Sequence, residues 1–301
     1  MDGTAWLILP TYNEADNIEA IVLAAGESLA GAPCENRRVL IVDDGSPDGT
    51  GEIADRLAAQ HPWVEVLHRT AKEGIGPAYL AGFAHALEHG AAYVMEMDSD
   101  FSHDPADLPR LLQAIADGAD LALGSRYVPG GGVREWGLLR RVVSEGGSTY
   151  ARWVLGLHLH DLTGGFKCFR REVLEAIHFD SVRSHGYAFQ VELTYRAARA
   201  GFRVVEVPIV FRDRQRGTSK MSWRIAAEAM WLVPGLRFGR QPPSGYAPAS
   251  ASGSGVPAPA SETDAPAGGS GVPAPASETD VPAGGEGAHD NELFGAQPLP
   301  K

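Results

Sequence analysis

Along the first 125 residues, short apolar runs alternate with segments whose apolar residues recur every three or four positions. The runs are AWLIL (5–9), VLIV (39–42), VEVL (64–67), YVMEM (93–97) and LALGS (121–125). Each has strand length, and near-continuous apolar character is what a strand covered on both faces requires. Between them lie stretches of helical period. Ile18, Ile21, Val22, Ala25 and Leu29 make one stripe, and further helices are predicted at about 51–60, 76–89 and 107–116. These βα steps predict an α/β fold with a mostly parallel, Rossmann-like sheet flanked by helices, because parallel neighbours need crossover connections. In such sheets ligands gather beyond the carboxyl ends of the strands. The loops to inspect are therefore PTYNE (10–14), DDGSPDGT (43–50), RTAKEGIG (69–76), DSDFSHDP (98–105) and RYVPGG (126–131).

The pattern stops near residue 241. Beyond it, 11 of the 21 prolines and 10 of the 36 glycines fall within 61 residues, and SGVPAPASETDAPAGG recurs as SGVPAPASETDVPAGG. A repeat so poor in large apolar residues cannot offset its own ordering entropy. One catalytic domain, 1–240, followed by a disordered tail, 241–301, is the expected organisation. Seven acids against Lys301 place half of the net charge of −12 in that tail. A mildly acidic body argues against nucleic acid as a partner. Locally, however, Arg212, Arg214, Arg216, Lys220 and Arg224 crowd one stretch able to attract anions. The two cysteines, Cys34 and Cys168, lack metal-ligand spacing and suit a reduced, cytoplasmic protein. No apolar run reaches the roughly 18 residues of a spanning helix, and no secretory leader is expected.

The loops narrow the chemistry. PTYNE carries no glycine, and the later GIGPAY lacks the third glycine of a dinucleotide fingerprint, so a Rossmann cofactor site is not expected. Asp98 and Asp100 stand two apart just past an apolar strand, where two like charges in a partly dry crevice need a cation between them. Hard carboxylates favour Mg2+ or Mn2+, completed by substrate phosphate. The plainer alternative is a helix cap, for which Asp104 and Asp107 are better placed. HLH (158–160) has no third ligand at zinc spacing.

Together PTYNE, DDGSPDGT, KEGIGPAYLAGF, DSDFSH, GSRY, DLTGGFKCF and VPIVFRDRQRGTSK occur in the order found in family 2 glycosyltransferases of the GT-A type. The combination resembles dolichol- or polyprenol-phosphate mannose synthases, in the compact actinobacterial form without membrane-spanning helices. The resemblance covers roughly residues 5–235 and implies a GDP-mannose donor and a polyprenyl or dolichyl monophosphate acceptor. It further implies that Pro10, Tyr12 and Glu14 contact the base or ribose and Asp44 the nucleoside. Asp98 and Asp100 would hold the metal, with Ser102 reaching it through a water. Arg126, Arg140, Arg214 and Lys220 would surround the phosphates as charge accumulates on the departing diphosphate. His103 matches the family either as a ligand or as a residue opening a helix. Asp161 would orient a sugar hydroxyl or cap its turn, and Glu192 would act in the site or pair with Arg196. One departure is SEGGSTY (144–150), which puts Glu145 and two glycines beside the expected acceptor channel.

A phosphate acceptor is already largely dianionic at neutral pH, so no residue is expected to be an indispensable base. In-line attack would invert the configuration to a β-mannosyl phosphate. Residues 221–240, with Trp223, Met230, Trp231, Leu236 and Phe238 among arginines, read as an interfacial helix interrupted at Pro234 or, alternatively, as a helix packed on the domain's own core. The expected location is the cytoplasmic face of the plasma membrane, reached through the membrane surface itself or a membrane-protein anchor. The alternatives are a glucosyl or other sugar donor in the same chemistry and, more distantly, a non-catalytic nucleotide-sugar sensor.

Overall fold

The computed structural model describes residues 1–134, 138–182, 184, 186–212 and 233–239, with side chains described throughout except at 138–143 and 187. The alternating pattern becomes β1 (Thr4–Thr11), α1 (Ile18–Ala30), β2 (Asn36–Asp43), α2 (Thr50–Gln60), β3 (Val64–His68), α3 (Ile75–Glu88), β4 (Ala91–Glu96), α4 (Leu108–Ala116) and β5 (Leu121–Ser125). There follow β6 (Gly132–Val133), α5 (Leu138–Leu155), β7 (Lys167–Arg170), α6 (Arg171–Ala176), α7 (Gly186–Arg199), β8 (Val204–Pro208) and β9 (Val210–Phe211). The main sheet has the order β3-β2-β1-β4-β7-β5-β8. Its strands are parallel except β7, which runs antiparallel between β4 and β5.

The inserted β7 was not anticipated. It has four residues, follows Gly164 and Gly165, and carries a lysine in its buried stretch, so neither length nor polarity marks it as a strand. Its partners supply the reason for it: Met95 faces Cys168 and Ala122 faces Cys168, so one short strand closes the gap between β4 and β5.

The central strand β1 shows why its run is apolar throughout. Ala5, Leu7 and Leu9 enter one core with α1 and α4, while Trp6 and Ile8 enter the other with α3 and α7. Successive strand residues point to opposite faces, so a sheet covered on both sides needs both sets. The stripe read on α1, from Ile18 to Leu29, is buried against the first core. On the second, Gly82 allows α3 to approach β1 closely; a Cβ there would lie 2.4 Å from Ile8 Cγ2.

A third, smaller core joins Ala151 and Leu155 of α5 to Leu162, Val191, Tyr195 and Val233. Earlier in α5, a Cβ added at Gly146 or Gly147 would meet nothing within 4 Å. Neither glycine is required by packing. Replacing each by alanine is expected to raise stability by about 0.5–1 kcal/mol, read from chemical denaturation.

Among the described residues no helix is long and apolar enough to cross a membrane. The expected tail, 241–301, and most of the expected interfacial stretch lie outside the described residues; in its described part Val233 is buried and Leu236 packs against the third core, so those two side chains face the domain.

Candidate active site

The loops after β1 and β2 are laced together at the carboxyl edge of the sheet. Asn13, at φ 59°, donates its backbone N–H to Ser46 Oγ at 3.0 Å, Glu14 N donates to Thr50 Oγ1 at 2.9 Å, and Ala15 N donates to Asp48 Oδ2 at 3.1 Å. Asp43 receives both the N–H and the hydroxyl of Ser46. These bonds hold the segments carrying Tyr12, Glu14 and Asp44. Lys72 Nζ lies 3.8 Å above the Tyr12 ring, and Arg69 donates to Asp44 Oδ1 and to Glu73. Burial pushes the Asp44 carboxyl up, against the pull of Arg69. Glu14 accepts from Asn17 Nδ2 at 3.0 Å. Pro10 lies within β1, and its carbonyl accepts the Ser99 hydroxyl at 3.0 Å. Arg69 and Lys72 were not singled out from sequence, although their position after the third strand was a usable signal.

The acid loop follows β4. Asp98 is half-buried and accepts the Tyr79 hydroxyl at 3.3 Å on Oδ1. Burial, and then Asp98 itself, raise the Tyr79 phenol well above its ordinary range, so it stays a donor. Asp100 is buried, and its Oδ1 accepts Ser102 N–H at 3.0 Å. Ser102 Oγ and His103 Nδ1 are buried without a hydrogen-bond partner. Buried polar atoms are rarely left so, and orphans beside paired carboxylates suit a bound group. Among the described residues no three His, Cys, Asp or Glu side chains converge on one point. A divalent ion held by Asp98 and Asp100 would thus keep positions for water and substrate phosphate, as Mg2+ and Mn2+ sites do. The residues present fit such an ion.

His103 does not open the next helix. Asp104 does, its Oδ1 accepting Ala106 N–H at 3.0 Å ahead of Pro105. His103 instead stacks on Phe166 at 5.0 Å and meets Phe211 edge-on at 5.1 Å. Burial drives its pKa down to about 4, with Asp100 opposing and Arg126 assisting. Between about pH 4 and the unfolded value near 6.5 the unfolded chain therefore binds more protons. Stability should be full above pH 6.5 and decline by about 3 kcal/mol as pH falls toward 4. His103→Phe should flatten that slope in urea denaturation repeated across this range.

Two buried ion pairs flank the acid loop. Arg126 presents Nε and Nη2 to the two oxygens of Asp161, both at 2.7 Å, and Nη2 also reaches Thr163 Oγ1 at 2.8 Å. Its backbone N–H donates to Asp161 as well, at 3.0 Å. Asp161 also accepts the Thr163 hydroxyl two residues on, at 3.4 Å, but its carboxylate chiefly anchors Arg126. Burial raises its pKa, but Arg126 outweighs that and holds it below the usual range. The second pair is Glu96 with Lys167, 2.8 Å apart and both fully buried, with Gln190 accepting a further bond from Lys167. Burial pushes Glu96 up and Lys167 down, each against its partner's attraction. A Cβ at Gly165 would lie 3.2 Å from Gln190 Nε2 and 3.9 Å from Asp98 Oδ1, which places this pair directly behind the acid loop. The charge inside YVMEM was the only hint of it in the sequence. Glu192 pairs with Arg196 one turn on, and Arg196 binds the carbonyls of Ile177, His178 and Ser181. Of the two readings of Glu192, these contacts carry the pairing with Arg196.

Arg140 lies on α5, but its side chain is outside the described residues, as are Arg214 and Lys220 altogether. The chain leading to the latter two is anchored: Arg212 N–H donates to Ser102 O at 3.0 Å, and β9 pairs with β6. The site's far wall is tied to α5 through Tyr127, whose hydroxyl donates to Ser144 Oγ at 2.8 Å.

Residues 6–177 match the family described as Glycosyl transferase family 2. The chain is 52% identical over 228 residues, 75% of its length and 84% of the relative's, to the polyprenol monophosphomannose synthase of Mycolicibacterium smegmatis. It is 51% identical over 223 residues to the undecaprenyl-phosphate mannosyltransferase of Micrococcus luteus, covering 74% of this chain and 89% of that one. A mannosyltransferase from Pyrobaculum calidifontis, solved with GDP-Man and Mn2+, shares the fold at a TM-score of 0.54 and 21% identity over 80% of this chain and 66% of that one. A sheet edge bearing Asp98 and Asp100, a family match spanning more than half the chain, and relatives above 50% identity lead to one conclusion: the chain belongs to glycosyltransferase family 2.

Proposed function

We propose that this chain transfers mannose, with inversion, from GDP-mannose to a polyprenyl or dolichyl monophosphate. The observation that carries the reading is a convergence at one sheet edge. Asp98 and Asp100 follow β4 beside the Tyr12–Lys72 and Asp44–Arg69 pairs, which follow β1, β2 and β3. The mannosyltransferase names of the relatives support the sugar and the acceptor class.

Tyr12 and Lys72 offer a stacking surface and a cation for the base, while Asp44 and Glu14 offer acceptors for nucleoside donors. Asp98 and Asp100 would hold Mg2+ or Mn2+, which neutralises charge on the leaving diphosphate when bound. Ser102, whose buried hydroxyl has no hydrogen-bond partner, would support that ion through a water. Tyr79 and the Ser102 N–H fix the two carboxylates before substrate arrives, so little reorganisation accompanies reaction. Arg126, immobilised by Asp161, is a fixed cation beside the site. Arg140, Arg214 and Lys220 complete the phosphate-binding set. The acceptor phosphate needs no base, since its second pKa is near 6. Because the acceptor is a lipid, the enzyme works at a membrane surface, on the cytoplasmic face where nucleotide sugars are made available, through its own residues or a membrane-protein anchor.

Full-length protein given labelled GDP-mannose, Mn2+ and polyprenyl phosphate should yield an organic-soluble mannosyl phosphate, and chelation should abolish it. Product from UDP-glucose alone would replace the donor. Tight GDP-mannose binding with no product from any prenyl phosphate would defeat the enzymatic reading.

A further inference from the structure

Two aromatic side chains stand apart on the described surface. Trp153 of α5 is 83% exposed and Phe238, in the helix at 233–238, is 81% exposed, whereas Ile75 and Leu23 reach only 40% and 39%. Neither ring serves the core. Ala151 and Leu155 already occupy the inner face of α5, against Leu162, Val191, Tyr195 and Val233. Arg237 Nη1 donates to the Leu155 carbonyl at 2.7 Å, so the helix at 233–238 lies against the end of α5 that carries Trp153. Trp153 lies two residues before that carbonyl, and Phe238 directly follows that arginine.

Along the sequence beside each ring, between Glu145 and Asp161 and within 233–239, the only full charges are positive. No acid occurs between residues 146 and 160 or within 233–239, while Arg152 adjoins Trp153 and Arg237 adjoins Phe238. Exposed rings flanked by cations with long apolar stems match an anionic bilayer interface, where the rings enter the acyl boundary and the cations stay with the headgroups. A two-fold contact with a second copy would set these arginines against their own equivalents. The patch also connects to the site. Ser144 of α5 receives Tyr127, and Ser148 meets Thr163, itself a partner of Arg126. From Ser144 to Trp153 the helix covers roughly 14 Å at 1.5 Å per residue, so α5 runs from the Arg126 pocket to Trp153.

We propose that Trp153 and Phe238 dock this chain on anionic lipid, making the outer face of α5 the membrane-facing surface. The proposal rests on the reading of the acceptor as a lipid-borne phosphate. It places the docking surface on the element that borders the site and adds Trp153 to the aromatic set expected from residues 221–240.

The test is flotation of the full-length protein with phosphatidylcholine–phosphatidylglycerol vesicles. Trp153→Ala and Phe238→Ala should each lower partitioning about tenfold, and the double variant about a hundredfold, from the loss of ring burial. Leu23→Ala, on α1, should change nothing. Transfer to vesicle-borne long-chain polyprenyl phosphate should fall in parallel, while transfer to a short, water-soluble prenyl phosphate stays at wild-type level with an unchanged melting temperature. Unaltered partitioning of the double variant overturns the proposal. So does a melting temperature lowered by several degrees, which would make the rings structural, or a loss of self-association with vesicle binding intact, which would make the patch a contact between copies. Lost vesicle binding in the double variant, beside a wild type inactive on every prenyl phosphate, would keep the docking surface and remove the acceptor reading.

Discussion

Asp100→Asn is expected to lower kcat/KM for mannosyl transfer by about a hundred- to a thousandfold while leaving the fold intact. The substitution keeps an oxygen where Oδ1 now accepts Ser102 N–H, so the loop geometry survives. What disappears is one of the two negative charges proposed to hold a divalent ion. Each 1.36 kcal/mol of lost transition-state stabilisation is tenfold in rate, and the metal's share is several kcal/mol. The loss should appear together with weakened Mn2+ binding, followed by electron paramagnetic resonance. Asp98→Asn should behave similarly but more mildly in stability, since Asp98 is only half-buried. Full activity in Asp100→Asn, or retained Mn2+ affinity with activity lost, would remove Asp98 and Asp100 from the metal role.

The second large effect is on stability. Asp161→Ala should cost about 3–5 kcal/mol, because removing one member of a buried pair strands the other charge. For a body of this size that lowers the melting temperature by about 10 °C. The pair also responds to acid. Asp161 titrates below its unfolded value, so its contribution is complete above about pH 4 and is lost as pH falls through the folded value. Arg126→Met combined with Asp161→Leu should recover part of the stability, since apolar replacement of a whole buried pair is often neutral but the Arg126 backbone N–H loses its acceptor. The double variant separates two roles for Arg126. Stability regained with transfer still depressed a hundredfold assigns the guanidinium to the phosphates; stability and transfer regained together would leave it a scaffold residue alone.

Much of this molecule could be read in one dimension. The β1 run is apolar at every position because both faces of the sheet are covered, and the α1 stripe is apolar at helical spacing because only one face of a helix is covered. Local pattern therefore carries the fold class directly. The D-x-D after β4 was legible for a related reason: charged residues immediately beyond a buried strand have to serve something. Strand β7 escaped because its lysine breaks the pattern, and that lysine is tolerable only opposite Glu96, 71 residues earlier.

The same reason governs Asp161. As a residue in DLTGG it invited a turn or a sugar contact, yet its oxygens are taken by Arg126, 35 residues away. His103 looked like part of a helix start, but Phe166 and Phe211 enclose it. By itself the sequence determined the layered sheet, the loops at its carboxyl edge and the position of the paired aspartates after β4, since period and position within a strand encode these locally. Only the tertiary structure decided which buried charges neutralise one another, which polar atoms are left for a ligand, and which aromatic rings face outward. Those depend on partners brought together across the chain, and no local periodicity carries that information.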